Sequence, residues 1–102
     1  MVKLTVLYPR QEGGTFDMNY YLDTHLPLAR KLLAPVLKGL TVDEGVTAGD
    51  LPAPYAVVCH LAFDSLDQMQ AALSAAQAAL AADIPNYTNV EPVFQVSAVT
   101  VA

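Results

Sequence analysis

The sequence predicts an α+β domain of ferredoxin-like architecture, a four-stranded antiparallel sheet with two helices on one face. Four short segments, 2–8, 40–47, 55–63 and 92–101, carry the alternation or dense apolar run of strands. Two longer segments, 17–36 and 66–82, place apolar residues at helical spacing behind polar start signals. Their order, β-α-β-β-α-β, is the split βαβ arrangement. Two helices suffice to cover one face of such a sheet. The 102 residues form one domain, 1–102, with a modest core.

The first strand alternates Val2, Leu4, Val6 and Tyr8 against Lys3, Thr5 and Leu7. Pro9 and the Gly13-Gly14 pair make the following segment a loop. Asp17 or Thr15 can accept a bond from a free N–H of the first helical turn. The apolar stripe of this helix contains Met18, Leu22, Ala29, Leu32, Leu33 and Val36. Pro27 removes the bond to the Asp23 carbonyl, so a bend is expected just after His25. Gly39 marks the helix's far limit.

Leu40, Val42, Glu44 and Val46 set the alternation of the second strand, and Gly49, Pro52 and Pro54 break it. The third strand has Tyr55, Val57, Leu61 and Phe63 on one face, and Ala56, Val58 and Ala62 on the other. Asp64 or Ser65 caps the second helix, whose stripe is Leu66, Met69, Leu73, Ala76 and Leu80. Its alanines favour helix and permit close packing. A polar loop, 83–89, leads into the last strand. Both faces of the third strand require burial, yet the helices cover only one. A homodimer packed through the open sheet face satisfies both.

Composition narrows the function. Hydrophobic residues make up 54% and charged residues 15%, a balance that fits a buried interface between copies. The net charge of −5, with Arg30-Lys31 the only adjacent basic pair, argues against nucleic acid. The single cysteine, Cys59, rules out an intrachain disulfide and reads as a small core hydrophobe. Two histidines without paired spacing give no basis for a metal site. No nucleotide, flavin or haem motif is visible, so no cofactor is expected. Met1-Val2-Lys3 leads straight into a strand, and no apolar run reaches the ~18 residues of a membrane span. The expectation is a soluble cytoplasmic protein without membrane contact.

One stretch carries chemistry. Tyr21 and His25 are four residues apart on the first helix, one above the other on its apolar face. A buried imidazole beside a buried phenol needs polar partners. His25 is the candidate general acid or base. Tyr21 is the candidate to orient it or to donate to an oxyanion. The competing reading is a core histidine bonded to a carbonyl or a tyrosine, beside a core tyrosine. Tyr20 points about 100° away from Tyr21 and belongs at a rim or subunit contact. Tyr8, at the end of the first strand, is placed to cap a pocket. His60 either lines the pocket or sits at the dimer interface, and Gln95 has the same two options. Asn86 and Thr88, with Tyr87 between them, either bind a substrate oxygen or serve ordinary turn chemistry.

Residues 16–28, from Phe16-Asp17-Met18-Asn19-Tyr20-Tyr21 to His25-Leu26-Pro27-Leu28, resemble the signature of the EthD family. So does Asp83-Ile84-Pro85-Asn86-Tyr87-Thr88 leading into Pro92-Val93-Phe94-Gln95-Val96-Ser97, and the opening Tyr8-Pro9 also fits. The resemblance spans nearly the whole chain and implies a dimeric α+β barrel of ferredoxin-like protomers. The family takes its name from an accessory protein of ethyl tert-butyl ether degradation, encoded beside a cytochrome monooxygenase system. Some relatives in polyketide and aromatic pathways resemble dehydratases or decarboxylases. More distant dimeric α+β barrels include cofactor-free monooxygenases and muconolactone isomerase. The resemblance therefore implies a catabolic role on a small apolar or aromatic oxygenated molecule. The first expectation is a cofactor-independent lyase- or isomerase-type enzyme. Its alternatives are a carrier or accessory protein for a monooxygenase, a cofactor-free monooxygenase, and an inert dimeric domain with a packed cleft.

Overall fold

A computed structural model describes residues 1–102. The strands are β1 (Val2–Pro9), β2 (Leu37–Glu44), β3 (Tyr55–Phe63) and β4 (Val93–Ala98). They form one sheet in the order β2-β3-β1-β4, and every pairing is antiparallel. The first helix runs as Met18–Tyr20, then Tyr21–His25, then Leu26–Leu33; the second spans Leu66–Asp83. The order of elements is the one the sequence predicts.

Pairing fixes which residues share a face. Leu4 and Val6 of β1 lie opposite Leu61 and Cys59 of β3, and opposite Val96 and Phe94 of β4. This row faces the helices. Its members on the two central strands, with Tyr8, Val57 and Phe63, form the core with Tyr21, Leu26, Ala29 and Leu33 of the first helix. The intervening residues Thr5, His60 and Gln95 pair across the opposite, open face. Ala56, Val58 and Ala62 of β3 are only half-buried there.

Local chemistry sets the element ends. The Asp17 side chain caps the first helix by accepting from Tyr20 N–H at 3.0 Å, and Ser65 caps the second from Gln68 N–H at 3.2 Å. The first helix stops at Leu33, short of the expected Val36. Ala34 adopts ψ 150°, as the residue before Pro35 must when the proline ring crowds a helical conformation. The chain therefore straightens early, and β2 begins at Leu37 instead of Leu40. At the other end, a Cβ on Gly45 would collide with Tyr55 backbone, while its N–H reaches Ala56 O at 2.8 Å. That approach requires glycine and ends the strand. β4 is shorter than expected because its partner β1 runs out: Ala98 already lies opposite Val2.

At Pro27 the helix is disturbed through a widened turn. The turn before it, Tyr21–His25, is π-helical, and Leu26 N–H bonds Tyr21 O, five residues back. The widened turn makes room for a ring that would otherwise strike the Asp23 carbonyl. Pro27 itself opens the Leu26–Leu33 segment, where a missing N–H costs little. The wide turn also resets the stripe. Leu22 is exposed, and the buried face is Tyr21, His25, Leu26, Ala29 and Leu33.

Candidate functional site

The second helix stands off the sheet. Of its expected stripe, only Met69 and Ala76 are buried; Leu73 and Leu80 are half-buried and Leu66 is exposed. The gap is a cleft of about 760 Å³ between the helices and the inner sheet face. Leu4, Val6, Leu61 and Phe94 floor it, and Leu26, Leu73 and Leu80 wall it. Its polar end is formed by Tyr8, Tyr21, His25 and Tyr87. No Lys or Arg lines it, and Glu91 is its only carboxylate.

Two remote loops build that polar end by locking together. Asp17 N–H donates to Tyr87 O at 2.7 Å, and the Thr88 hydroxyl donates to Thr15 O at 2.6 Å. The Asn89 side chain accepts from Thr15 N–H and donates to Gly13 O. The second helix continues to Asp83 and passes through a 3₁₀ turn, Ile84–Asn86, which delivers Tyr87 inward. Tyr87 then packs its ring 4.6 Å from that of His25 and 5.0 Å from that of Tyr21. Tyr21 and His25 stack at 5.6 Å with planes 14° apart, the alignment that their spacing predicts.

His25 is 8% exposed and fully partnered. Its Nδ1 lies 2.9 Å from Asp83 Oδ2, and its Nε2 lies 3.4 Å from the Tyr87 hydroxyl. Asp83 also accepts from the Tyr20 hydroxyl at 2.6 Å and from Asn86 Nδ2 at 2.9 Å. The Tyr20 donor, followed by Asn86 and His25, holds this carboxyl below its ordinary range. A carboxylate only accepts, so Nδ1 carries the proton, and Nε2 of the neutral ring is an acceptor. With the ring neutral, Tyr87 donates to Nε2 and Tyr8, whose hydroxyl lies 2.7 Å away, donates to Tyr87.

Burial dominates the phenols. It pushes Tyr8 up to about 12 and raises Tyr21 and Tyr87 well above the usual phenol range. All three are neutral donors near neutral pH. Burial likewise raises the Cys59 thiol, which sits beside Tyr21.

The residues expected from sequence divide accordingly. His25, Tyr21, Tyr8 and Thr88 line the cleft. The Thr88 hydroxyl is occupied, bonding Thr15 O and accepting from Val90 N–H. Asn86 stands outside the cleft and acts on Asp83. His60 and Gln95 are on the opposite sheet face, away from this cleft, where a subunit contact is the other expectation for both. His60 bonds Thr5 Oγ1 at 3.3 Å and Asp43 Oδ2 at 3.2 Å, and Gln95 bonds Ser97. Strand alternation places them there, because they share parity with Thr5 rather than with Val6. Asp83 is not among the residues expected from sequence, Tyr87 is expected only as part of the 86–88 polar cluster, and Tyr20 only at a rim or subunit contact. No spacing rule joins positions 83 and 87 to position 25; the resemblance of both segments to one motif was the available signal. No group of three or more His, Cys, Asp or Glu side chains comes together as a metal site. No helix is long and apolar enough to cross a membrane.

The protein is thus an α+β protein with an open-faced ferredoxin-like sheet and an apolar cleft beneath its helices, tipped by a His–Asp pair and three phenols. Residues 15–91 match the EthD domain, and the chain belongs to that family. An EthD-like protein from Ralstonia eutropha is 35% identical, with a TM-score of 0.91 over 98% of this chain and 92% of its own. An EthD family protein from Bacillus halodurans is 21% identical, with a TM-score of 0.68 over 98% and 99% of the two chains. SnoaB, a cofactor-independent oxygenase from Streptomyces nogalater, shares the fold at 11% identity, with a TM-score of 0.58 over 99% and 93%. No curated protein matches the chain.

Proposed function

We propose that this protein binds a small, mostly apolar, oxygen-bearing molecule in the cleft and transfers protons on it without a cofactor, as a lyase or isomerase does. One observation carries the reading: His25, backed by Asp83, presents Nε2 to the polar end of an otherwise apolar cleft. The carboxylate orients the imidazole and stabilises the cation that forms when Nε2 takes a proton. Tyr21 is the second polar group. Its hydroxyl stands beside Tyr8 and the Cys59 thiol at the polar end of the cleft. From there it can turn to donate to a ligand oxygen.

The protein works in this reading as a homodimer, with a second copy covering the open sheet face in a dimeric α+β barrel. A second reading is a carrier that holds an apolar metabolite for a separate oxygenase. The largely apolar wall favours it, since most of the binding energy would come from burial.

A panel of neutral aromatic, ether and enolisable compounds, screened for binding and turnover, tests both readings. With a hit in hand, His25→Ala is expected to abolish turnover or binding while the protein stays folded. Product formation by wild type supports the enzyme; tight binding with unchanged ligand supports the carrier. Lower stability of His25→Ala with unchanged binding makes His25 structural.

A further inference from the structure

The polar end of the cleft is a directed chain of hydrogen bonds. Asp83 accepts from His25 Nδ1, His25 Nε2 accepts from Tyr87, and Tyr87 accepts from Tyr8. With the imidazole neutral, each direction follows from the one before it, starting from a carboxylate that can only accept. Tyr8, at the outer end, points its hydroxyl hydrogen at Tyr87 and keeps lone pairs for an incoming donor. The Tyr87–His25 contact of 3.4 Å is at the long end for a hydrogen bond, as catalytic contacts often are before a ligand tightens them. Charge supplies an independent constraint. With no Lys or Arg on its walls and Glu91 at its edge, the cleft has nothing to balance a ligand that arrives as an anion.

We propose that Tyr8 and Tyr87 relay a proton from a ligand hydroxyl to His25, so that the cleft selects an uncharged molecule bearing a phenol- or enol-type hydroxyl over a carboxylate or phosphate. The ligand O–H bond breaks and its proton bonds to Tyr8 Oη. The Tyr8 proton passes to Tyr87 Oη, and the Tyr87 proton passes to His25 Nε2. Electron pairs stay on their oxygens, both phenols end neutral, and no oxidant is consumed. The products are a ligand oxyanion and an imidazolium whose charge Asp83 already balances. A ligand anion is thus tolerated only when its own proton remains in the site. This deepens the functional reading above and rests on it.

Three probes of one shape test the relay in the full chain: 2-naphthol, 2-methoxynaphthalene and 2-naphthoate, titrated by calorimetry near pH 7. Nitrogen NMR of the His25 ring is followed in parallel. Wild type is expected to bind 2-naphthol about tenfold more tightly than either of the others, the worth of one good hydrogen bond. The Nε2 resonance should move toward its protonated position as 2-naphthol is added. In Tyr87→Phe, the hydroxyl preference and the Nε2 shift should vanish while 2-methoxynaphthalene affinity persists. Tyr8→Phe should do the same and carries the test if Tyr87→Phe does not fold. Equal or tighter binding of 2-naphthoate overturns the proposal while leaving the binding site standing. So does a hydroxyl preference that survives in both variants. Failure of all three probes to bind wild type overturns the cleft reading and the relay with it.

Discussion

His25 Nδ1 lies 2.9 Å from Asp83 Oδ2, although 58 residues separate them in the chain. One sits at the end of the π-helical turn of the first helix, the other on the last residue of the second. The contact backs the imidazole from outside the cleft lining and fixes Nδ1 as the donor. Tyr20 and Asn86 grip the same carboxylate, so the pair is held from both sides.

Replacing Asp83 with Ala should cost about 1–3 kcal/mol, the penalty for stranding the buried Nδ1 donor of His25. At roughly 4–8 °C in Tm per kcal/mol for a domain of this size, the loss is readily seen by calorimetry. The pH dependence has a definite sign. In the unfolded chain Asp83 takes its proton in the ordinary carboxylate range, but in the folded protein only below it. The unfolded state therefore binds more protons across that window, and stability falls as pH drops through it. Asp83→Asn should flatten this part of the acid unfolding profile. An unchanged profile would show that the carboxylate is not held by its neighbours.

Alkaline titration should leave the cleft phenols silent through their usual range. Burial raises Tyr8 to about 12 and moves Tyr21 and Tyr87 in the same direction. In the unfolded chain these groups release protons near 10. The stability that their neutral forms contribute is therefore full below about 10 and is lost as pH rises toward 12. Phenolate absorbance at Tyr8, Tyr21 and Tyr87 should appear only together with loss of the near-ultraviolet circular dichroism of the fold. Single Tyr→Phe variants assign the contributions. Early ionisation of these residues in the native state contradicts their burial.

Cys59 should label slowly in native buffer and rapidly in denaturant. It is 3% exposed, and burial raises its thiol, so thiolate is scarce and access is poor. Saturation of the cleft with a ligand should slow labelling further, because Cys59 lines it. Fast native labelling, timed by mass spectrometry, would mean that the cleft opens readily.

Sedimentation equilibrium at tens of micromolar should give a homodimer, with Tm rising with protein concentration. The open face of β3 and β1, with Ala56, Val58, Ala62 and Leu7 around the Thr5–His60–Asp43 contacts, is the expected contact surface. Val58→Asp at the centre of that face should shift the equilibrium to monomer. A monomeric wild type under these conditions excludes the barrel.

By itself, the sequence determined the order of elements, the antiparallel sheet, the family, and the stacking of Tyr21 on His25. The element order, the sheet and the stacking rest on local periodicity or on residues within one helical turn, and the family rests on the resemblance of segments 16–28 and 83–97 to its signature. It also signalled that Pro27 disturbs the helix. Only the tertiary structure showed the form of the disturbance, a π-helical turn at Tyr21–His25. The partners of His25 were likewise beyond local reading. Asp83 and Tyr87 reach it because loops 13–17 and 86–90 hydrogen-bond across the molecule. His60 illustrates the converse. Its face follows from strand parity once Val57, Cys59, Leu61 and Phe63 are known to point inward, but the helix-facing side of β3 is a global choice. Alternation along a strand tells which residues share a side; only the packed helices tell which side holds the cleft.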